Sequence, residues 1–117
     1  MHELGIAMRI AEITAEVAKR EGVRKVTEVN VDIGVLAGIV PDLLESSFEM
    51  ATKDTWLEKT RLNIHLIPAT AMCLMCKKQF APDGFLTVCP GCNAFECEIV
   101  RGKELSVKSL LSEDSRE

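Results

Sequence analysis

Between residues 4 and 20 apolar side chains recur at helical spacing, with Ile6, Ile10, Ile13 and Val17 on one stripe and Arg9, Glu12, Glu16 and Arg20 opposite. That period predicts an amphipathic helix. Gly22 suits the left-handed backbone of a helix terminus. Glu16 stands four residues ahead of Arg20, the favourable order for an exposed pair. From 27 to 35 the period drops to two, with Thr27, Val29, Val31, Ile33 and Val35 on one face and Glu28, Asn30 and Asp32 on the other. A half-buried strand follows from that alternation. Gly34 and Gly38 bracket a turn, and Pro41 with Asp42 opens a second helix, where a missing N–H costs nothing and a carboxylate suits the dipole. Its core stripe is expected to be Leu44, Phe48 and Ala51 with Leu43 and Met50 beside it, and Lys53 complements its end. Residues 61–67 alternate again and are expected to bury Leu62, Ile64 and Leu66 before Pro68 stops the strand.

Between 69 and about 95 this patterning is lost. The segment holds too few large apolar residues for a core of its own, but carries Cys73-x-x-Cys76 and Cys89-Pro90-Gly91-Cys92. Two such pairs make a tetrahedral four-thiolate cage, and a metal must hold this part together. Pro90 and Gly91 favour a tight turn that lets both sulfurs face one ion while backbone N–H groups support them. Residues 96–100 and 105–110 then flank Gly102 and are expected to form a hairpin, the last strand rejoining the first sheet. The chain therefore reads as an α+β domain, residues 1–68 plus about 97–117, with a zinc-ribbon-like four-cysteine domain inserted at about 69–96. The tail from 112 to 117 is charged and expected to fray.

Composition narrows the function. A chain of 117 residues with 47% hydrophobic content suits one compact domain, or a small one with a metal-stapled appendage. It has no apolar run of about eighteen residues, and acidic Glu3 stands where a secretory leader would be basic, so neither a membrane span nor a signal peptide is expected. The expected compartment is the cytoplasm. An odd count of five cysteines there argues for metal rather than disulfides, and Cys97 is left over. A formal charge of −4 disfavours nucleic acid, for which Lys77, Lys78, Phe80 and Phe85 near the cage are a thin basic and aromatic set. Four thiolates favour zinc and leave no open position, which makes the site structural. No nucleophile or phosphate loop is visible, so the chain does not read as an enzyme. His65 falls on the polar strand face with Arg61 and Asn63. Cys97 is expected as a small buried apolar residue, and Met72 and Met75 as gap-fillers beside the cage. Trp56, the single tryptophan, is either a probe of folding or partner surface.

The other candidate site is Met1-His2-Glu3. A terminal amine, the peptide nitrogens beside it and an imidazole form a planar nitrogen-rich set, the preference of Ni(II) or Cu(II) rather than zinc. Backbone amides must lose protons to bind so, and such a complex weakens as pH falls. By itself this terminus does not argue for a site, because chain ends fray.

Taken in order, Met1-His2-Glu3-Leu4, Ile33-Gly34-Val35-Leu36-Ala37-Gly38, Pro41-Asp42-Leu43-Leu44, the two cysteine pairs and Gly102-x-Glu104-Leu105 resemble the HypA/HybF family over the chain to about Leu110. These are nickel metallochaperones of hydrogenase maturation. The resemblance implies two helices on a three-stranded, mainly antiparallel sheet, with the zinc domain inserted before the last strand. It implies His2 as the nickel ligand, helped by the Met1 amine and the backbone nitrogens of His2 and Glu3, and zinc at Cys73, Cys76, Cys89 and Cys92. Partners implied are the HypB GTPase and the hydrogenase large-subunit precursor, with urease maturation proteins as a second destination in some organisms and a homodimer as a candidate assembly. Some family members add a zinc-domain histidine to the nickel set. None stands between 69 and 117 here, which favours a wholly N-terminal set. Gly5, a poor helix former, would let the first turn unwind around the metal. The rival reading is a zinc-ribbon protein- or nucleic-acid-interaction module without nickel function.

Overall fold

The computed structural model describes residues 3–82 and 87–112. Met1, His2, Phe85 and the tail from 113, which all carry expectations from the sequence, lie outside the described residues. In chain order the elements are α1 (Glu3–Glu21), β1 (Val26–Gly34), α2 (Pro41–Thr52), β2 (Arg61–Ile67), β3 (Thr70–Cys73), β4 (Gln79–Phe80), β5 (Cys97–Arg101) and β6 (Leu105–Ser112). They divide between two compact units. One takes the chain up to Asp32, Gly38–His65 and the residues from Ser106; the other takes Ile33–Ala37 and Leu66–Leu105.

In the first unit α1 packs against α2. The most deeply buried stripe of α1 is Ala7, Thr14 and Ala18, with Ile6 and Ile10 beside it, while Ile13 and Val17 are half-buried. Small side chains thus hold the most deeply buried positions of α1, with larger ones beside them. Buried Thr14 is satisfied by donating its hydroxyl to the Ile10 carbonyl at 2.8 Å, and Thr52 does the same to Phe48 at 2.9 Å. At the end of α1, the Val23 N–H reaches the Ala18 carbonyl and the Gly22 N–H the Lys19 carbonyl, with Gly22 at φ 71°. That is a Schellman stop, and it needs the glycine.

α2 opens on Pro41, as its sequence requires, but its N-cap Val40 brings no side-chain cap. Glu3 reaches across from α1 instead: its buried carboxylate accepts the Val40 N–H at 3.0 Å. The core stripe of α2 is Leu44, Ser47, Phe48 and Thr52. Leu43 and Met50 are exposed, and Ala51 is only half-buried. The apolar period was legible there, but not which flank a neighbour covers.

Val26, Val29, Val31 and Ile33 of β1 are buried, whereas Val35 lies past the strand end and is exposed. The first sheet has the order β2-β1-β6. Contacts of Lys25 with Ser112, Thr27 with Leu111 and Asn30 with Ser109 run in opposite senses, so β1 and β6 are antiparallel. Those of Val26 with Thr60, and of Glu28 and Asn30 with Asn63, advance together, so β1 and β2 are parallel. The sheet is mixed rather than mainly antiparallel because α2 supplies the crossover that parallel neighbours need. Its polar face is tied by those asparagine bonds and by Lys108 Nζ, 3.8 Å from Asp32. His65 is exposed, and so is Leu66 at 53%, which corrects the expectation that Leu66 is buried.

The second unit carries the sheet β4-β3-β5. β5 pairs antiparallel with β3, with Ala71 opposite Ile99 and Cys73 opposite Cys97. The hairpin expected around Gly102 does not form, since β5 and β6 join different sheets. Gly102 sits at φ 116°, where a Cβ would lie 2.7 Å from the Ala69 Cα, and a Cβ on Gly34 would overlap the backbone of Gly102 and Lys103. Here Gly34 N–H donates to the Glu104 carbonyl at 2.8 Å and Leu36 N–H to that of Gly102 at 2.6 Å. Two backbone segments thus meet with no room for a side chain. Among the described residues no helix is long and apolar enough to cross a membrane.

This contact gives a first prediction. Gly34→Ala should destabilise the protein by about 1–3 kcal/mol or more through overpacking. Gly5→Ala, where a Cβ meets nothing within 4 Å, should stabilise α1 by roughly 0.5–1 kcal/mol. Urea unfolding followed by Trp56 fluorescence checks both, and equal shifts would contradict the steric account.

Candidate metal centre

Two loops of the second unit bring the cysteines together by the same backbone device. In the first, the Cys73 N–H donates to the Lys78 carbonyl at 2.9 Å and the Lys77 N–H to the Cys73 carbonyl at 2.9 Å. In the second, Cys89 N–H donates to the Ala94 carbonyl at 3.0 Å and Asn93 N–H to that of Cys89 at 2.8 Å. Each loop turns back through a left-handed residue just after its second cysteine, Lys77 at φ 68° and Asn93 at φ 62°. Asparagine tolerates that region; lysine does so at some cost. Asn93 was a visible turn signal. Lys77, weighed in the sequence only as a basic residue, carried none.

The Sγ atoms of Cys73, Cys76, Cys89 and Cys92 all lie within 4.8 Å of one another. Cys73 and Cys92 are 3.6 Å apart and Cys76 and Cys89 3.5 Å, and all are free thiols rather than disulfides. Four sulfurs about 2.3 Å from a tetrahedral zinc stand about 3.8 Å apart, so the set fits that ion. Backbone donors already face the sulfurs. The N–H groups of Met75 and Cys76 point at Cys73 Sγ, each at 3.4 Å, and that of Gly91 at Cys89 Sγ at 3.3 Å.

These donors set the protonation pattern. The N–H of Cys76 is the largest influence holding the Cys73 thiol down to about 6, against burial and with help from the Met75 N–H and the Cys92 and Cys76 thiols. Cys89 is likewise lowered, chiefly by the Cys92 N–H. At Cys92 the Ala94 backbone works downward but is outweighed by Cys73, burial, Cys76 and Cys89, which push it up to about 12. Of the pair 3.6 Å apart, Cys73 therefore gives up its proton more readily than Cys92. Cys73 and Cys89 are buried and Cys76 and Cys92 exposed, so the cage has a protein side and a solvent side.

A family model described as hydrogenase/urease nickel incorporation, metallochaperone, hypA, matches residues 1–111. The chain belongs to the HypA family. Among its relatives, the hydrogenase maturation factor HypA of Geobacter metallireducens is 42% identical over 110 residues, covering 94% of this chain and 97% of that protein. The one from Desulfatibacillum aliphaticivorans is 39% identical over 118 residues, covering 100% and 91%. The solution structure of the Ni metallochaperone HypA from Helicobacter pylori superimposes with a TM-score of 0.70 at 25% identity, covering 96% of this chain and 97% of that one. The family is one of nickel-incorporating maturation factors, and its members are metallochaperones. The α+β class with a four-cysteine cluster is the HypA fold.

The remaining candidate residues fall apart from this cluster or beside it. Of the nitrogen set, only Glu3 is among the described residues, and its carboxylate is engaged by Val40. Met72 is half-buried, but Met75 is 66% exposed and fills no gap. Cys97 is half-buried rather than buried. It lies beside the cage, a proximity that needed the strand register to be seen.

Because Cys73 and Cys89 are lowered, zinc uptake at about pH 7.5 should release fewer than four protons. Cys73 is depressed from 9.0 to about 6, so its thiolate stabilises the metal-free fold fully above 9.0 and loses that effect as pH falls through about 6. The proton count should then rise toward four. Calorimetry in buffers of differing ionisation enthalpy reads it, and a constant four protons would contradict the pattern.

Proposed function

We propose that this chain carries Ni(II) at its N-terminus and delivers it to the hydrogenase large-subunit precursor, while a zinc ion at Cys73, Cys76, Cys89 and Cys92 holds the second unit. Membership of the HypA family over residues 1–111 is the observation that carries this. The nickel donors are the His2 imidazole, the Met1 amine and the backbone nitrogens of His2 and Glu3. In support, the described part of α1 begins at Glu3, directly after Met1 and His2 in the chain. The Glu3 carboxylate accepts the Val40 N–H, which ties the residue next to the proposed donors to the start of α2.

A site of few ligands at a chain end releases its ion by stepwise exchange, which a closed four-sulfur cage does not. On this reading residues 1–68 and about 97–117 serve nickel and about 69–96 zinc, with Cys97–Arg101 pairing on β3 of the zinc-held unit. Nucleotide hydrolysis is left to the HypB GTPase as partner. Urease maturation proteins are a second destination of the same cargo.

Calorimetric nickel titration should show binding by the native-start protein and loss of it in His2→Ala and in protein bearing extra N-terminal residues, with zinc content unchanged in all three. Equal nickel binding by all of them would overturn the N-terminal site. Lowering pH should weaken binding in the native protein, since amide protons compete with the metal.

A further inference from the structure

The fifth cysteine stands opposite the first. In the antiparallel pairing of β3 with β5, Cys73 faces Cys97 and Met72 faces Glu98. The Leu74 N–H donates to the Glu96 carbonyl at 2.7 Å, so residues 74 and 96 form the hydrogen-bonded pair. Cys73 and Cys97 are then a non-hydrogen-bonded pair, the closer kind, with Cα atoms about 4.5 Å apart and side chains on one face. The Cys97 sulfur lies 3.6 Å from the Ala94 carbonyl oxygen, the same oxygen that accepts the Cys89 N–H at 3.0 Å. Cys97 is therefore placed between Cys73 and Cys89, on the protein side of the cage. The exposed sulfurs, Cys76 and Cys92, lie on the other side.

A tetrahedral d10 ion has no preference among four equivalent thiolates and expands readily to five-coordinate. An entering ligand that comes from the protein side displaces one on the solvent side. We propose that Cys97 is a reserve zinc ligand, positioned to enter the site when Cys76 or Cys92 leaves it, so that the metal is retained while an exposed thiol is set free. The step is ligand exchange without redox change. The Cys97 sulfur loses its proton and bonds zinc, one zinc–sulfur bond to Cys76 or Cys92 breaks, and the departing thiolate takes up a proton. The zinc holds four sulfurs before and after the exchange. Side chain and metal need to move by only a few ångströms, because zinc–sulfur bonds are about 2.3 Å and Cys97 already adjoins a ligand. What this adds is a zinc unit whose exposed loop can be released without loss of the ion.

The inference rests on zinc occupying the four cysteines, and the test separates the two. Cobalt-substituted protein reports the number of bound thiolates through its charge-transfer intensity. Wild type and Cys97→Ala should both show four thiolates and about one metal per chain. Cys92→Ala should still show four, and Cys92→Ala/Cys97→Ala should lose about a quarter of the intensity, as three thiolates require. A second arm needs no cage mutant. Mild alkylation of zinc-loaded protein to one modified thiol per chain, Cys76 or Cys92, followed by mass spectrometry, should leave zinc bound in wild type and release it from Cys97→Ala. Equal intensities for Cys92→Ala and the double variant, or equal zinc loss on alkylation, would overturn the reserve role alone. Absence of metal from wild type would overturn the zinc assignment as well.

Discussion

Among the described residues from 66 to 105, the buried apolar side chains are Ala71, Cys73 and Cys89. Such a set removes too little surface from water to offset the ordering of the described chain there. Convergence of four sulfurs on one point is the constraint everything else in the second unit serves. The short strands β3, β4 and β5 carry the loops, and the repeated backbone pattern of the two turns aims each cysteine pair inward. Lys77 accepts a left-handed conformation that a lysine ordinarily avoids. The bare backbone contact between Gly34 and Gly102 has the same logic: where side chains cannot fill a core, main chains approach directly.

The first unit solves a different problem with ordinary means. Its helices and sheet bury Phe48, Leu44, Val29 and Val31, and the most deeply buried positions of α1 are alanine and threonine. Buried side-chain polar atoms among the described residues all have partners. Within this economy the Glu3 carboxylate stands out, since it serves a helix other than its own. A helix lacking its own cap borrows one from a residue two positions inside the chain, and the start of α1 is thereby held where the proposed nickel donors begin.

Much of this was legible from pattern. The 3.6-residue period before Gly22, the alternation up to Ile33 and the Pro-Asp helix start each follow from local sterics and hydrophobic spacing, and the structure has these elements within a residue or two. The errors have one origin. Leu43, Met50, Val35 and Leu66 are apolar residues at core spacing that no neighbour covers, and periodicity cannot say which flank a distant element will occupy. The strands on either side of Gly102 looked like a hairpin because a glycine between two alternating runs usually makes one. Here it marks the point where the chain leaves one sheet and joins another.

The sequence by itself determined the helix and strand periods, the four-sulfur ligand set and its preference for a soft tetrahedral ion, because these depend on residue type and short spacing. Only the tertiary structure decided which strands are neighbours and in what sense they run. It put Glu3 under Val40 and Cys97 across from Cys73, lowered the Cys73 and Cys89 thiols while raising that of Cys92, and buried two of the four cysteines while exposing the others. Each of these is a relation between residues far apart in the chain, set by packing and strand register, and no local pattern encodes it.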